Sequence, residues 1–319
     1  MKEIIRKIIT VSMILFLFCG CANEKQETDH KKIKVAVTIF PLCDWTRQLS
    51  LGSENIELLQ IVSSSSDLHS YQPSAKDIMN ITTADVFIYV GGESDEWVED
   101  VLEQTDSKDL TVIDLMDVLE SRVLEEEEKE GMEEEHEEHE HEHEEEYDEH
   151  VWLSLKNAKG VCEAITKVLI EKDEANKKIY EENLSSYLKQ LDELEGEFVK
   201  AREEAGKEVI LFADRFPFLY LCKDLGIDYY AAFKGCSAET EASFETIRFL
   251  ADKVDELGLK TLVCLEDNNR KIAETIIENT KNKDAKIVHM HSMQSKTNDD
   301  DTYLKLMEEN LEALKQALE

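Results

Sequence analysis

The chain has 319 residues, 42% of them apolar, and only three prolines, which is enough to bury two ordinary cores and too apolar for a disordered polymer. Against 36 lysines and arginines stand 72 acidic residues, a formal net charge of −36; that field repels a nucleic-acid backbone, excludes DNA and RNA as partners and suits a cationic ligand. Much of the excess is local, because residues 125–149 hold 17 acidic residues and one lysine.

From the N-terminus, "MKEIIRKIITVSMILFLFCGCANEKQ" carries Lys2, Arg6 and Lys7, an apolar run from Ile8 to Phe18, and Gly20 before Cys21. This is the pattern of a secretory signal, with a run too short to span a bilayer comfortably. The ending "LFCGC" resembles a bacterial lipobox, so residues 1–20 are expected to be a signal peptide, Cys21 a lipidated N-terminus and residues 21–32 a polar tether. Cys43, Cys162, Cys222, Cys236 and Cys264 remain. Their spacings match no finger or CxxC pattern, which predicts small core hydrophobes and leaves any disulfide unread.

Short apolar, β-branched runs follow at 33–40, 56–62, 84–90 and 110–114, separated by helix-compatible segments such as "SAKDIMNITT" and "DEWVEDVLEQT". The same alternation returns at 208–212, 227–233, 260–265 and 285–290. Strands alternating with helices imply parallel sheets covered on both faces, hence two Rossmann-like α/β lobes, at 33–155 and 207–319. Between them, residues 156–206 carry no strand signal. Asp173 is placed to cap a helix on which Leu184, Leu188, Leu191, Leu194 and Phe198 form one apolar face, a stiff spine of about thirty residues ending at Gly206.

Of nine histidines, four (His136, His139, His141, His143) lie in the acidic run, and the others are His30, His69, His150, His289 and His291. His69, Asp214 and His291 fall beyond the carboxyl ends of predicted strands, where open α/β sheets place their ligands. His150 closes the acidic run. Each alone reads as a solvated loop residue, and there is no HExxH-type local motif; only their joint placement suggests a cleft between the lobes.

Four blocks carry a family resemblance: "DLHSYQPSAKDIMNITTADVFIYVGGESDEWVE", "DEHVWLSLKNAKGVCEAI", "FADRFPFLYLCKDLGIDYYAAFKGCSAETEAS" and "HSMQS" followed by "TYLKLMEENLEALKQAL". In this order, over residues 33–318, they resemble the zinc and manganese solute-binding lipoproteins of ABC importers, cluster A-I, whose lobes are joined by a long rigid helix. The resemblance implies a metal site between the lobes with His69, His150, Asp214 and His291 as ligands. The residue before the first histidine, usually proline, is Leu68 here, and Glu239 or Glu266 could replace His291 as the fourth ligand. Three imidazoles and a carboxylate suit tetrahedral Zn(II), whereas a second carboxylate would favour Mn(II). Four protein ligands leave no open position for a reactive water, so the expected role is not enzymatic.

The expected protein is therefore a monomeric, lipid-anchored receptor on the outer face of the bacterial cytoplasmic membrane. It would bind Zn(II) as transported ligand and deliver it to an ABC permease, with a separate ATPase supplying energy because no GxxxxGK[ST] occurs here. A manganese receptor, a metal buffer without a permease, and a metal-dependent hydrolase are the alternatives. His136, His139, His141 and His143 are expected to collect metal weakly at the cleft mouth. Removing residues 125–146 should then lower the number of ions bound and spare the tight site.

Overall fold

The computed structural model describes residues 32–62, 68–105, 109–133, 146–235, 237, 241–265, 270–294 and 300–319. Cys21, Cys236, Glu239, Glu266 and the four histidines of the acidic run lie outside them.

Eight strands form among the described residues, one for each apolar run. β1 (Ile33–Val37), β2 (Ile56–Gln60), β3 (Val86–Tyr89) and β4 (Thr111–Asp114) make an all-parallel sheet in the order β2-β1-β3-β4. β5 (Val209–Arg215), β6 (Asp228–Phe233), β7 (Thr261–Leu265) and β8 (Lys286–Met290) repeat that topology as β6-β5-β7-β8. Parallel neighbours require crossovers, supplied in the first lobe by α1 (Phe40–Leu49), α2 (Ala75–Thr82), α3 (Trp97–Glu103) and α4 (Leu115–Leu119). Their starts are chemically marked: Pro41 opens α1, and Ser74 with Asp77 forms a reciprocal capping box on α2.

Two helices link the sheets, α5 (Leu155–Lys172) and α6 (Lys177–Glu204). At 28 residues, α6 is about 42 Å long, and it buries Leu191, Leu194 and Phe198 together with Tyr180, Tyr187 and Ala201. Leu184 and Leu188 pack against the same core while only partly buried. The start differs from the expected one. Asp173 ends α5, a 3-10 turn at Glu174–Asn176 intervenes, and the Asp173 carboxylate accepts from the Tyr180 hydroxyl, the Asn55 and Asn176 amides and the Asn176 main-chain N–H of that turn instead of capping α6. Three side-chain donors and the turn share this carboxylate.

The second lobe adds α7 (Leu219–Leu225), α8 (Phe244–Leu257), α9 (Lys271–Asn279) and α10 (Tyr303–Ala317). α10 reaches back to the first lobe: the Tyr303 N–H donates to Asp44 on α1, its hydroxyl donates to the Trp152 carbonyl, and its ring meets Trp45 edge-on at 5.0 Å. One buried cluster consequently runs from Val35, Val37 and Ile88 of the first sheet through Trp152, Leu191 and Phe198 to Phe212, Val263 and Met290 of the second. Separate cores back the outer faces, around Phe87 in one lobe and Leu211 and Leu262 in the other. Cys43, Cys162, Cys222 and Cys264 are buried, as expected for small core residues.

Candidate metal centre

The block "DEHVWL" folds into a turn in which successive residues do separate work. Asp148 accepts the His150 main-chain N–H at 2.8 Å and lies 3.2 Å from its Nδ1. Glu149 accepts the Ser94 N–H at 2.7 Å, and its other oxygen lies 3.6 Å from Nδ1 of His69. Burial pushes the Glu149 carboxyl up, but the neighbouring His69 ring and the donors of Ser94 outweigh this and hold it below the usual carboxylate range. Val151, Trp152 and Leu153 are fully buried, and Ser154 caps α5 by accepting the Asn157 N–H.

His69 stands on a 3-10 turn, Leu68–Ser70, after β2. Leu68, in the place of the expected proline, is wholly buried and anchors that turn in the core. The rest of the motif fastens the chain between this turn and α2: Tyr71 packs on Trp97, and Asp77 accepts from both Ser74 groups. The His69 Nδ1 meets the Ser94 hydroxyl at 2.8 Å.

The two imidazoles thus converge, with ring centroids 5.2 Å apart. Both have Nδ1 engaged by residues of their own lobe, which turns Nε2 outward from that shell, the arrangement in which a histidine ligates through Nε2 while a carboxylate or hydroxyl orients it. Nε2 of His150 is buried and has no hydrogen-bond partner among the described residues. Both rings also face the second lobe. A Cβ on Gly235 would sit 3.1 Å from the His150 ring and 2.9 Å from the Phe216 carbonyl, so only glycine lets that chain lie so close. Gln294 lies 3.0 Å from Nε2 of His69.

Asp214 lies inside β5 rather than beyond it, where the register against β6 shifts between Phe212 and Arg215; such irregularities re-aim a side chain at a strand end. It is buried, and its oxygens accept the Arg215 N–H at 2.8 Å and the Leu265 N–H at 3.2 Å. That is the β5/β7 crevice, the switch point of the second sheet. His291 follows β8 directly; its Nε2 contacts Glu309 on α10 at 3.0 Å, and Asn310 holds its main chain. Among the described residues no three His, Cys, Asp or Glu side chains lie close enough to hold a metal ion. Sequence reasoning passed over Asp148, Glu149, Ser94 and Gln294. The first two stood inside a recognised motif but looked like the end of the acidic run.

Comparison with known proteins gives the same outline. The family model for zinc-uptake complex component A, periplasmic (ZnuA), matches residues 35–317. The zinc-binding lipoprotein AdcA of Streptococcus pneumoniae is 28% identical over 99% of this chain, which spans 61% of that protein's length. The high-affinity zinc uptake system protein ZnuA of Bacillus subtilis is 28% identical over 98% of this chain and 96% of its own. A manganese ABC transporter substrate-binding lipoprotein, PsaA of Streptococcus anginosus, is 26% identical over 98% of this chain and 97% of its own. Among solved structures, a Zn(II)-bound AdcAII variant of Streptococcus pneumoniae superposes with a TM-score of 0.72 at 27% identity, covering 91% of this chain and 99% of that one. With a family model matched across both sheets and the helices between them, the chain belongs to the family of the periplasmic zinc-uptake complex component A.

Proposed function

We propose that this protein is a receptor that captures Zn(II) between its two lobes and delivers it to an ABC permease driven by a separate ATPase. The observation that carries the reading is the pair of imidazoles, 5.2 Å apart, each held at Nδ1 by Asp148 or by Ser94 and Glu149. With Nδ1 held, each ring can offer Nε2 to a borderline cation. In this proposal Asp214 and His291 complete the shell from the second lobe. His291 must then exchange Glu309 for the metal. The acidic run collects metal weakly, and Cys21 anchors the chain at the outer face of the membrane; the relatives named lipoproteins support the anchor. Among the described residues no helix is long and apolar enough to cross a membrane. The protein acts as a carrier, not a catalyst.

Competition titration with Zn(II) tests this. His69→Ala or His150→Ala should weaken the tight site on the order of a hundred-fold or more, since each ligand carries a large share of the binding free energy. Asp148→Asn should cost about ten-fold through the orientation of His150, and His289→Ala should cost nothing measurable. Unchanged affinity in both His69→Ala and His150→Ala would end the assignment. Manganese is the second reading, favoured by the carboxylates gathered near the two imidazoles and by the relative named for manganese. If Zn(II) is the cargo, His291→Asp should shift preference towards Mn(II); a wild-type protein that already prefers Mn(II) would establish the alternative.

A further inference from the structure

α7 grips the turn that carries His150 at both of its ends. Tyr220 and Asp224 stand four residues apart on this helix and so share one face. The buried Tyr220 hydroxyl donates to the Asp148 carbonyl at 2.6 Å and accepts the Leu124 N–H at 3.1 Å. It thereby closes the root of the acidic insertion, where the Asp148 N–H meets the Leu124 carbonyl. At the other end, Asp224 accepts the Ser154 hydroxyl at 2.6 Å and pairs with Lys156 at 3.0 Å. The residues between are held by the same lobe. The Trp152 indole N–H donates to the Ser292 carbonyl at 2.7 Å, the Trp152 carbonyl accepts the Tyr303 hydroxyl at 2.8 Å, and the His150 ring lies against Gly235.

In chain order this turn closes the first lobe, yet residues 148, 150, 152 and 154 all meet the second. Glu149 faces the other way, accepting the Ser94 N–H at 2.7 Å and approaching Nδ1 of His69 at 3.6 Å. Freeing the turn from the first lobe breaks the Glu149 contacts. Freeing it from the second breaks the bonds of the Asp148 and Trp152 carbonyls, the Leu124 N–H, the indole and the Ser154 hydroxyl together, and buried polar groups of this kind are costly to leave unpaired. The turn therefore has the firmer seat on the lobe to which its sequence position does not assign it.

We propose that Tyr220 and Asp224 are positioning residues for the metal site: they seat the His150 turn on the second lobe, so that His150 moves with Asp214 and the boundary between the lobes runs between His69 and His150. The proposal rests on the reading of His150 as a ligand. Widening the cleft would then part the two imidazoles, leaving His69 on one side and His150 with Asp214 on the other. A cation bound by both rings ties the lobes together.

Backbone amide relaxation of the metal-free proteins reads the seating. The N–H groups of His150, Val151 and Leu153 bond to Asp148, Glu149 and His150 within the turn, so their order parameters report the turn itself. From a rigid value of about 0.85 they should fall to about 0.7 in Tyr220→Phe and in Asp224→Ala, with the amides of β1 and β7 unchanged; a general loss of stability would not single out the turn. Asp224→Asn keeps an acceptor for the Ser154 hydroxyl and should match wild type. Glu149→Ala, which cuts the first-lobe contacts, should loosen the turn less than either. Competition titration should find Zn(II) binding about ten-fold weaker in Tyr220→Phe. Turn amides that stay rigid in both Tyr220→Phe and Asp224→Ala, loosening spread equally over β1 and β7, a larger effect from Glu149→Ala, or unchanged Zn(II) affinity in a loosened Tyr220→Phe protein each overturns the proposal. If the wild-type protein binds no Zn(II) in the cleft, the receptor reading falls in the titration, and the metal-free relaxation data still decide which lobe holds the turn.

Discussion

At the scale of single residues, buried charge near the two imidazoles has a cost that pH should reveal. Asp95 is 2% exposed; one oxygen accepts the Val90 and Gly91 N–H groups and the other has no hydrogen-bond partner among the described residues. Burial, aided by the nearby Glu149 and Asp114 carboxylates, pushes its pKa up to about 7 against those two donors. Between pH 4 and 7 the folded protein therefore holds a proton that the unfolded chain has lost, and this group's contribution to stability falls as pH rises. Asp95→Asn keeps an acceptor for both N–H groups and removes the charge. It should raise unfolding free energy by about 2 kcal/mol at pH 8 and change it little at pH 4, as read by denaturant titration at the two values. An equal effect at both would mean that Asp95 is ionised throughout. No periodicity could single out this carboxylate among 72 acidic residues, because its burial is a property of the β3 turn that encloses it.

At the scale of elements, the acidic insertion is less detached than its composition suggests. Its ends pair as an antiparallel stem: Glu125 bridges Tyr147, the Glu126 N–H donates to Glu146, and the Asp148 N–H donates to Leu124. The first arm then crosses to the second lobe. Glu127 contacts the Tyr229 hydroxyl and Lys223, and Lys129 pairs with Asp228 and lies over the Tyr229 ring. The Glu133 N–H joins the β6 edge at Ala232, and its carboxylate accepts the Ser243 N–H at the start of α8. Gly131, at φ of +89°, lies against Phe249 where a Cβ would collide with the ring. The arm straps the lobes together, so removing 125–146 would take away more than weak metal ligands. Replacing residues 134–145 with a glycine-serine segment of equal length should lower the Zn(II) stoichiometry and leave the tight site within about two-fold. Gly131→Ala should instead destabilise the fold by about 2 kcal/mol through strain and collision. Calorimetry on both variants checks the division, and a Gly131→Ala protein that melts like wild type would show that the strap contributes nothing.

At the scale of the molecule, α10 fastens to α1 and one buried cluster crosses from sheet to sheet, so residues 32–319 form one compact unit. A shared core couples the lobes in unfolding, and a single calorimetric transition is expected rather than two. Cargo that binds only the folded state raises the unfolding free energy by about 2.7 kcal/mol when free Zn(II) is a hundred times Kd. The rise should vanish in His69→Ala. Two separated transitions, with only one moved by Zn(II), would mean that the lobes melt independently and that the common core is not cooperative.

Local pattern was enough for the eight strands and the apolar face of α6. Period is a property of neighbouring residues and survives without a fold. Asp173 turned to side-chain donors, Asp214 moved into a strand, Asp148 and Glu149 left the acidic run to hold imidazoles, and Gln294 came to His69 from 225 positions away. These were decided by the tertiary structure, because which polar groups are buried together, and which must then satisfy one another, depends on how the two sheets, the spine and α10 close on a common core.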